Sequence, residues 1–180
     1  MRRPLIATLF ILASLTACYS EENAVSEAPR ITILSGAAWQ NGERINRLYA
    51  VQSCLTGDYA IDARNYKVDC GSASRAALSD FFTRAKITCN TVETAADFNI
   101  VTCRAIFAGQ TPVDLGSMLI RSGYAFAAIT PGAADQFSPV YKPYAAIEAD
   151  ARKARAGLWG FRSFTHPAQS LARAYTRKRS

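Results

Sequence analysis

DLGSMLIRSGYAFA, residues 114–127, and YAAIEADARKARAGLW, residues 144–159, are the stretches whose reading decides the fold. In the first, Asp114 is placed to cap a helix, because a short acidic side chain can accept from backbone N–H groups of the first turn. Gly123 ends that helix, since glycine enters the left-handed backbone region at little cost. Residues 124–129 then return as a strand or a bend. In the second stretch, a helix over about residues 142–156 places Tyr144, Ile147, Ala151 and Leu158 on one side. Ala151, Ala154 and Leu158 take the inner side, which leaves Arg152, Lys153 and Arg155 outside. The apolar positions read as core.

Upstream, residues 30–34 (RITIL) and 46–51 (NRLYAV) read as short strands separated by a turn at Asn41-Gly42, a strong hairpin signal. Residues 86–92 and 100–107 are rich in β-formers and are expected to pair. Ser72 can cap a helix running to about Thr83, with Ala73, Ala77, Phe81 and Phe82 as its apolar stripe. No internal repeat or second domain is visible.

The N-terminus reads as a targeting segment. Arg2 and Arg3 precede an apolar run over residues 5–15, too short to span a membrane. Leu15-Thr16-Ala17-Cys18 has the form of a bacterial lipobox, which implies cleavage before Cys18 and lipid on its thiol; an ordinary signal peptide with an incidental cysteine is the plainer reading. Several acyl chains on one cysteine anchor durably, at ~0.8 kcal/mol per buried CH₂. Tyr19, where an aspartate would retain a lipoprotein at the inner membrane, implies release to the periplasmic face of the outer membrane. Residues 19–29 are polar and acidic without periodicity, as a tether is.

Without Arg2 and Arg3 the chain keeps 19 basic and 14 acidic residues. From Lys142 onward there are nine basic and two acidic residues, so the positive charge is concentrated at one end. Arg152, Lys153, Arg155, Arg177, Lys178 and Arg179 are therefore candidate contacts for an anionic partner: nucleic acid, lipid head groups or acidic polysaccharide. The plainer reading is a solvated basic helix and tail.

Beyond Cys18 there are four cysteines, Cys54, Cys70, Cys89 and Cys103. An even number in an exported chain points to disulfides, with three possible pairings. A zinc site is disfavoured, because no pair has C-x-x-C spacing and the sole histidine is His166. His166 precedes Pro167 in what reads as a loop and is expected to be solvated.

Gly123-Tyr124-Ala125 after a short helix, followed by Tyr144, Glu148, Ala151-Arg152 and Gly157-Leu158-Trp159, gives G-x-A and Y-x-x-x-E-x-x-A-R-x-x-x-x-G-L-W. This pattern resembles the staphylococcal-nuclease-like (thermonuclease) family. The resemblance implies an α+β fold, a five-stranded OB-type barrel with about three helices. The chain then divides into a signal peptide over residues 1–17, a lipidated cysteine and tether over 18–29, the folded domain over 30–162 and a basic tail over 163–180. The resemblance also implies the pairings Cys54–Cys70 and Cys89–Cys103, because related secreted chains carry Q-x-C before a C-G helix start and two further cysteines on neighbouring strands.

The family's chemistry is a different matter. It implies a metal-binding D-G-D-T, a catalytic R-L-x-G-I-D-A-P-E and a second arginine between two paired strands, all serving calcium-dependent phosphodiester hydrolysis. Here the D-G-D-T position reads Ser35-Gly36-Ala37-Ala38, without either carboxylate. Arg47-Leu48-Tyr49-Ala50-Val51 aligns with R-L-x-G-I, so Arg47 keeps the first arginine, as a phosphate contact or simply a surface charge. Read onward without a gap, Gln52 replaces the aspartate and Leu55 the glutamate. Read with Gln52-Ser53-Cys54 on the Q-x-C, the D-A-P-E turn is deleted. Ile100 stands where the second arginine would be. Ala60-Ile61-Asp62-Ala63 resembles I-D-A, but Asn65 sits at the glutamate spacing, so Asp62 is a decoy for a metal ligand. No P-loop, G-x-S-x-G or H-E-x-x-H is present.

Removing one positioned electrostatic group costs ~10²–10³ in rate, and a catalytic unit loses most of its power with its first member. The expectation is a catalytically inactive lipoprotein of the cell envelope, acting as a binding or scaffold module without cofactor or metal. Two alternatives stand beside it. One is a weak or altered nuclease or phosphodiesterase using Ca²⁺ or another metal. The other, by analogy of fold alone, is an accessory role in envelope polysaccharide assembly.

Overall fold

A two-residue turn organises the first part of the chain. Gly42 sits at φ 60° with Glu43 after it, and the flanking strands pair from Asn41↔Arg44 to Ala38↔Arg47. Glycine in the first turn position supplies the twist a tight hairpin needs. The computed structural model describes residues 30–128 and 141–167. The expected signal segment, Cys18, the expected tether, Arg177, Lys178 and Arg179 lie outside the described residues.

The elements run β1 (Ile31–Ser35), β2 (Ala38–Asn41), β3 (Arg44–Leu48), β4 (Val51–Gln52), β5 (Tyr59–Ile61) and β6 (Lys67–Asp69). They continue through α1 (Cys70–Arg84), β7 (Lys86–Thr94), β8 (Phe98–Ile106), β9 (Val113–Asp114), α2 (Leu115–Arg121), β10 (Phe126–Ala127), α3 (Tyr141–Lys153), a 3₁₀ turn at Gly157–Gly160 and β11 (Ser163–Phe164). The main sheet has the order β1-β2-β3-β8-β7, with β9 added to β8. Pairs β10-β4 and β11-β5-β6 form two small sheets. The class is α+β, with three α-helices among the described residues. The expected five-stranded barrel is not seen closed: among the described residues no pairing joins β1 to β7, and β9 makes a sixth strand.

The expected strand over 46–51 is broken in two. Ala50 sits at φ 56°, Tyr49 N–H donates to the Val101 carbonyl, and β4 starts afresh to pair with β10. The expected pairing of 86–92 with 100–107 is present as the antiparallel β7–β8 ladder. Helix α1 is capped by Asp69 rather than Ser72: Asp69 Oδ1 accepts the Ser72 N–H at 2.9 Å, and its Oδ2 accepts the Gly57 N–H at 3.2 Å. An acceptor at 69 satisfies both a helix donor and a loop donor, which Ser72 inside the first turn cannot. The buried face of α1 is Cys70, Gly71, Ser74, Leu78 and Phe81, with Phe82 edge-on to Trp39 at 5.1 Å.

Asp114 caps α2 as expected, accepting the Ser117 N–H at 2.6 Å, and its Oδ1 also accepts the Tyr144 hydroxyl at 2.8 Å. Burial first, and then the Asp114 charge, push the Tyr144 phenol far above its ordinary value. Gly123 follows α2 at φ 76°, and its carbonyl accepts the Leu158 N–H at 3.1 Å. The two motifs that carry the family resemblance therefore touch.

One core joins Trp39, Leu48, Leu78, Val101, Leu115, Leu119, Ile120 and Tyr144. A second gathers Cys54, Cys70, Ala60, Phe126 and Leu158, with Tyr124, Trp159, Phe161 and Phe164 around them. Each fully buried large apolar side chain contributes about 1.5–3 kcal/mol. Two disulfides are present, Cys54–Cys70 and Cys89–Cys103, as the resemblance implied, and they fit an oxidising compartment. No helix among the described residues is long and apolar enough to cross a membrane.

Three further expectations are corrected. Ala154 is exposed, because the backbone turns out of α3 there and reaches φ 54° at Arg155. His166 is not solvated: its side chain is 18% exposed, 3.2 Å from Glu148 and 4.8 Å from the Phe126 ring centroid. The expected domain limit at residue 162 is passed, because β11 pairs with β5 and Pro167 beyond it is buried.

Candidate functional site

The turn between β1 and β2 is tight. Ala37 N–H donates to Ser35 Oγ at 3.2 Å, and Gly36 lies so close to α1 that a Cβ there would meet the Ser74 Cβ at 2.6 Å. Glycine is required for that approach. A second loop, 55–58, is drawn onto the start of α1. Cys70 N–H donates to the Asp58 carbonyl, and a Cβ on Gly71 would stand 2.2 Å from the Leu55 carbonyl. Between these loops, β3 and β4 lies a cavity of about 450 Å³.

Leu34 and Ser35 from β1, Ala37 and Ala38 entering β2, Ile45 and Arg47 from β3, and Val51 and Gln52 from β4 line it, with Ser53, Leu55, Asp58 and Pro167. Five positions singled out in the sequence, Ser35, Ala37, Arg47, Gln52 and Leu55, therefore converge on one space. Ile100 is not among the lining residues, but it pairs in register with Arg47 across the parallel β3–β8 ladder. The Arg47 guanidinium lies 4.8 Å from the Phe98 ring centroid, and among the described residues no acidic side chain pairs with it. Gln52 Nε2 is buried without a hydrogen-bond partner among the described residues.

Asp58 is the carboxylate of this lining, and its Oδ2 accepts the Leu55 N–H at 3.3 Å. The sequence reading missed Asp58, Leu34 and Pro167, which carry no motif and are brought in by loops and by the chain end. Asp62 lies elsewhere and builds a turn: its Oδ1 accepts the Arg64 and Tyr66 N–H groups at 2.9 and 2.7 Å.

Of the basic candidates, Arg152, Lys153 and Arg155 are exposed. Arg152 is engaged, lying 4.4 Å from the Trp159 ring centroid and 3.8 Å from Glu148 Oε1. Glu148 itself is a tie: its Oε2 accepts the Ala127 N–H at 2.7 Å, joining α3 to β10. That bond explains why a carboxylate stands at this spacing.

Set against known proteins, the chain matches no protein-family model, and no curated protein matches it.

Proposed function

We propose that this is a staphylococcal-nuclease-like domain that has lost cleavage chemistry and serves as a binding or scaffold module, tethered through Cys18 to a bacterial envelope membrane. The observation that carries the reading is the convergence of Ser35, Ala37, Arg47, Gln52 and Leu55 on one cavity. Residues that the resemblance assigns to one active site meet in space, yet serine, alanine, glutamine and leucine stand where carboxylates would. The strand path β1-β2-β3-β8-β7, with α1 between β3 and β7, supports a partly open OB-type barrel behind that site.

The donor set does not fit calcium. Ca²⁺ takes 6–8 oxygen ligands, several of them carboxylates. The cavity offers the Asp58 carboxylate, two serine hydroxyls and one amide. The test is incubation of the purified chain with single-stranded DNA and RNA in calcium. No cleavage is expected, and cleavage abolished by Arg47→Ala would overturn the reading.

A second reading, an altered phosphodiesterase, is favoured by one observation: Asp58 and Arg47 share the cavity. Calorimetric titration with Ca²⁺, Mg²⁺ and Mn²⁺ separates the two, since the second requires metal binding that Asp58→Asn removes. The polysaccharide-assembly role rests on fold analogy alone and has no residue in the cavity to argue from.

A further inference from the structure

We propose that the cavity beside Arg47 binds a small amphiphilic carboxylate, with one negative head and an apolar body. This rests on the reading of the site as a binding pocket without hydrolytic chemistry, and it names the ligand class.

The walls set the body. Leu34, Ala37, Ala38, Ile45, Val51, Leu55 and Pro167 are apolar, and Leu34 and Leu55 stay 38% and 60% exposed, presenting apolar surface at the mouth. A volume of about 450 Å³ lies within the roughly 300–1,000 Å³ range of small-molecule sites.

One donor sets the head. Arg47 has no acidic partner among the described residues and is steadied on the Phe98 ring, which leaves a planar fork suited to a carboxylate. The Asp58 carboxylate in the same lining opposes a doubly charged head, so a single negative charge is selected over a phosphate monoester.

The test uses the purified chain bearing Cys18→Ser, so that no acyl group of its own competes. Decanoate, octanoate, decanol, decyl phosphate and decyltrimethylammonium are titrated by calorimetry, with thermal unfolding of every variant in parallel. Decanoate should bind one to one and more tightly than the other C10 probes, with octanoate weaker by up to about fourfold per missing methylene. Arg47→Gln should weaken decanoate about tenfold and leave decanol unchanged. Equal binding of decanoate and decanol, no binding of decanoate, or an unchanged affinity in a folded Arg47→Gln variant would overturn the inference. Absence of decanoate binding together with absence of nucleic-acid cleavage overturns this inference alone, whereas metal-dependent cleavage overturns the reading beneath it.

Discussion

Arg47 and Ile100 stand opposite each other in register on adjacent parallel strands, β3 and β8. An arginine at 100 would complete a pair of guanidiniums on one ladder, so Ile100→Arg should raise affinity for single-stranded DNA. Each added phosphate contact steepens the salt dependence by about 0.7 in the log–log slope. Fluorescence anisotropy of a labelled oligonucleotide at two salt concentrations measures this. No cleavage should accompany it, because the carboxylates are still missing; hydrolysis by this variant would contradict the proposed loss of chemistry.

Gly123→Ala should destabilise severely. The residue holds φ 76°, and a Cβ there would lie 2.0 Å from the Ala156 carbonyl oxygen. Strain and displacement together are expected to cost about 3 kcal/mol or more in urea unfolding. Gly42→Ala, also at positive φ but with open space around it, should cost only about 1 kcal/mol.

Removing the disulfides should have unequal effects. Cys54 and Cys70 are both fully buried in the second core, whereas Cys89 is exposed on β7. A native disulfide in a small exported domain contributes about 2–5 kcal/mol. Cys54→Ala with Cys70→Ala should reach the upper part of that range, because a cavity is added, and Cys89→Ala with Cys103→Ala the lower part. Denaturant midpoints of the two double variants decide it.

Acid should loosen the start of α1. The Asp69 carboxyl is held below its ordinary value of 3.8, first by the Ser72 N–H, with the Gly57 and Gly71 N–H groups assisting. A depressed folded-state value means stability present above about pH 4 and lost as pH falls through the folded value. Asp69→Asn keeps an acceptor and removes the titration, so its unfolding midpoint should fall less steeply between pH 4 and pH 2 than that of the parent chain. Identical acid limbs would show that Asp69 carries none of this dependence.

Anion affinity outside the cavity should come from the chain end. Arg152 is occupied by Trp159 and Glu148, while Arg173, Arg177, Lys178 and Arg179 cluster in the last eight residues of the sequence. Basic residues near an anionic membrane contribute roughly 1 kcal/mol each. Deleting residues 170–180 should reduce retention on anionic vesicles at low salt far more than Arg152→Ala does. Unchanged retention after the deletion would mark the tail as a solvated end.

Much of the scaffold was legible because its signals are local. Gly42 announces a turn, though it falls at Gly42-Glu43 with Asn41 paired in β2 rather than at Asn41-Gly42; Asp114 announces a cap and Gly123 a helix end, each through conformational preferences of one or two residues. The β7–β8 pairing follows from two β-rich runs close together in sequence. Legibility failed where two local solutions competed. Ser72 and Asp69 can both cap a helix, and the choice went to Asp69 because the Gly57 N–H also needed an acceptor. It failed again where distant segments meet, as when His166 packs against Glu148 and Phe126.

The sequence by itself determined the α+β class, the cysteine set and the lack of carboxylates at Ser35, Ala37, Gln52 and Leu55, since residue identities need no folding to be read. Only the tertiary structure decided that Leu34, Arg47, Gln52, Asp58 and Pro167 line one cavity. Their sequence separations reach past a hundred residues, and strand register, a glycine-tight turn and a disulfide-tied loop bring them together. A pocket is a product of long-range packing, and no short-range preference encodes it.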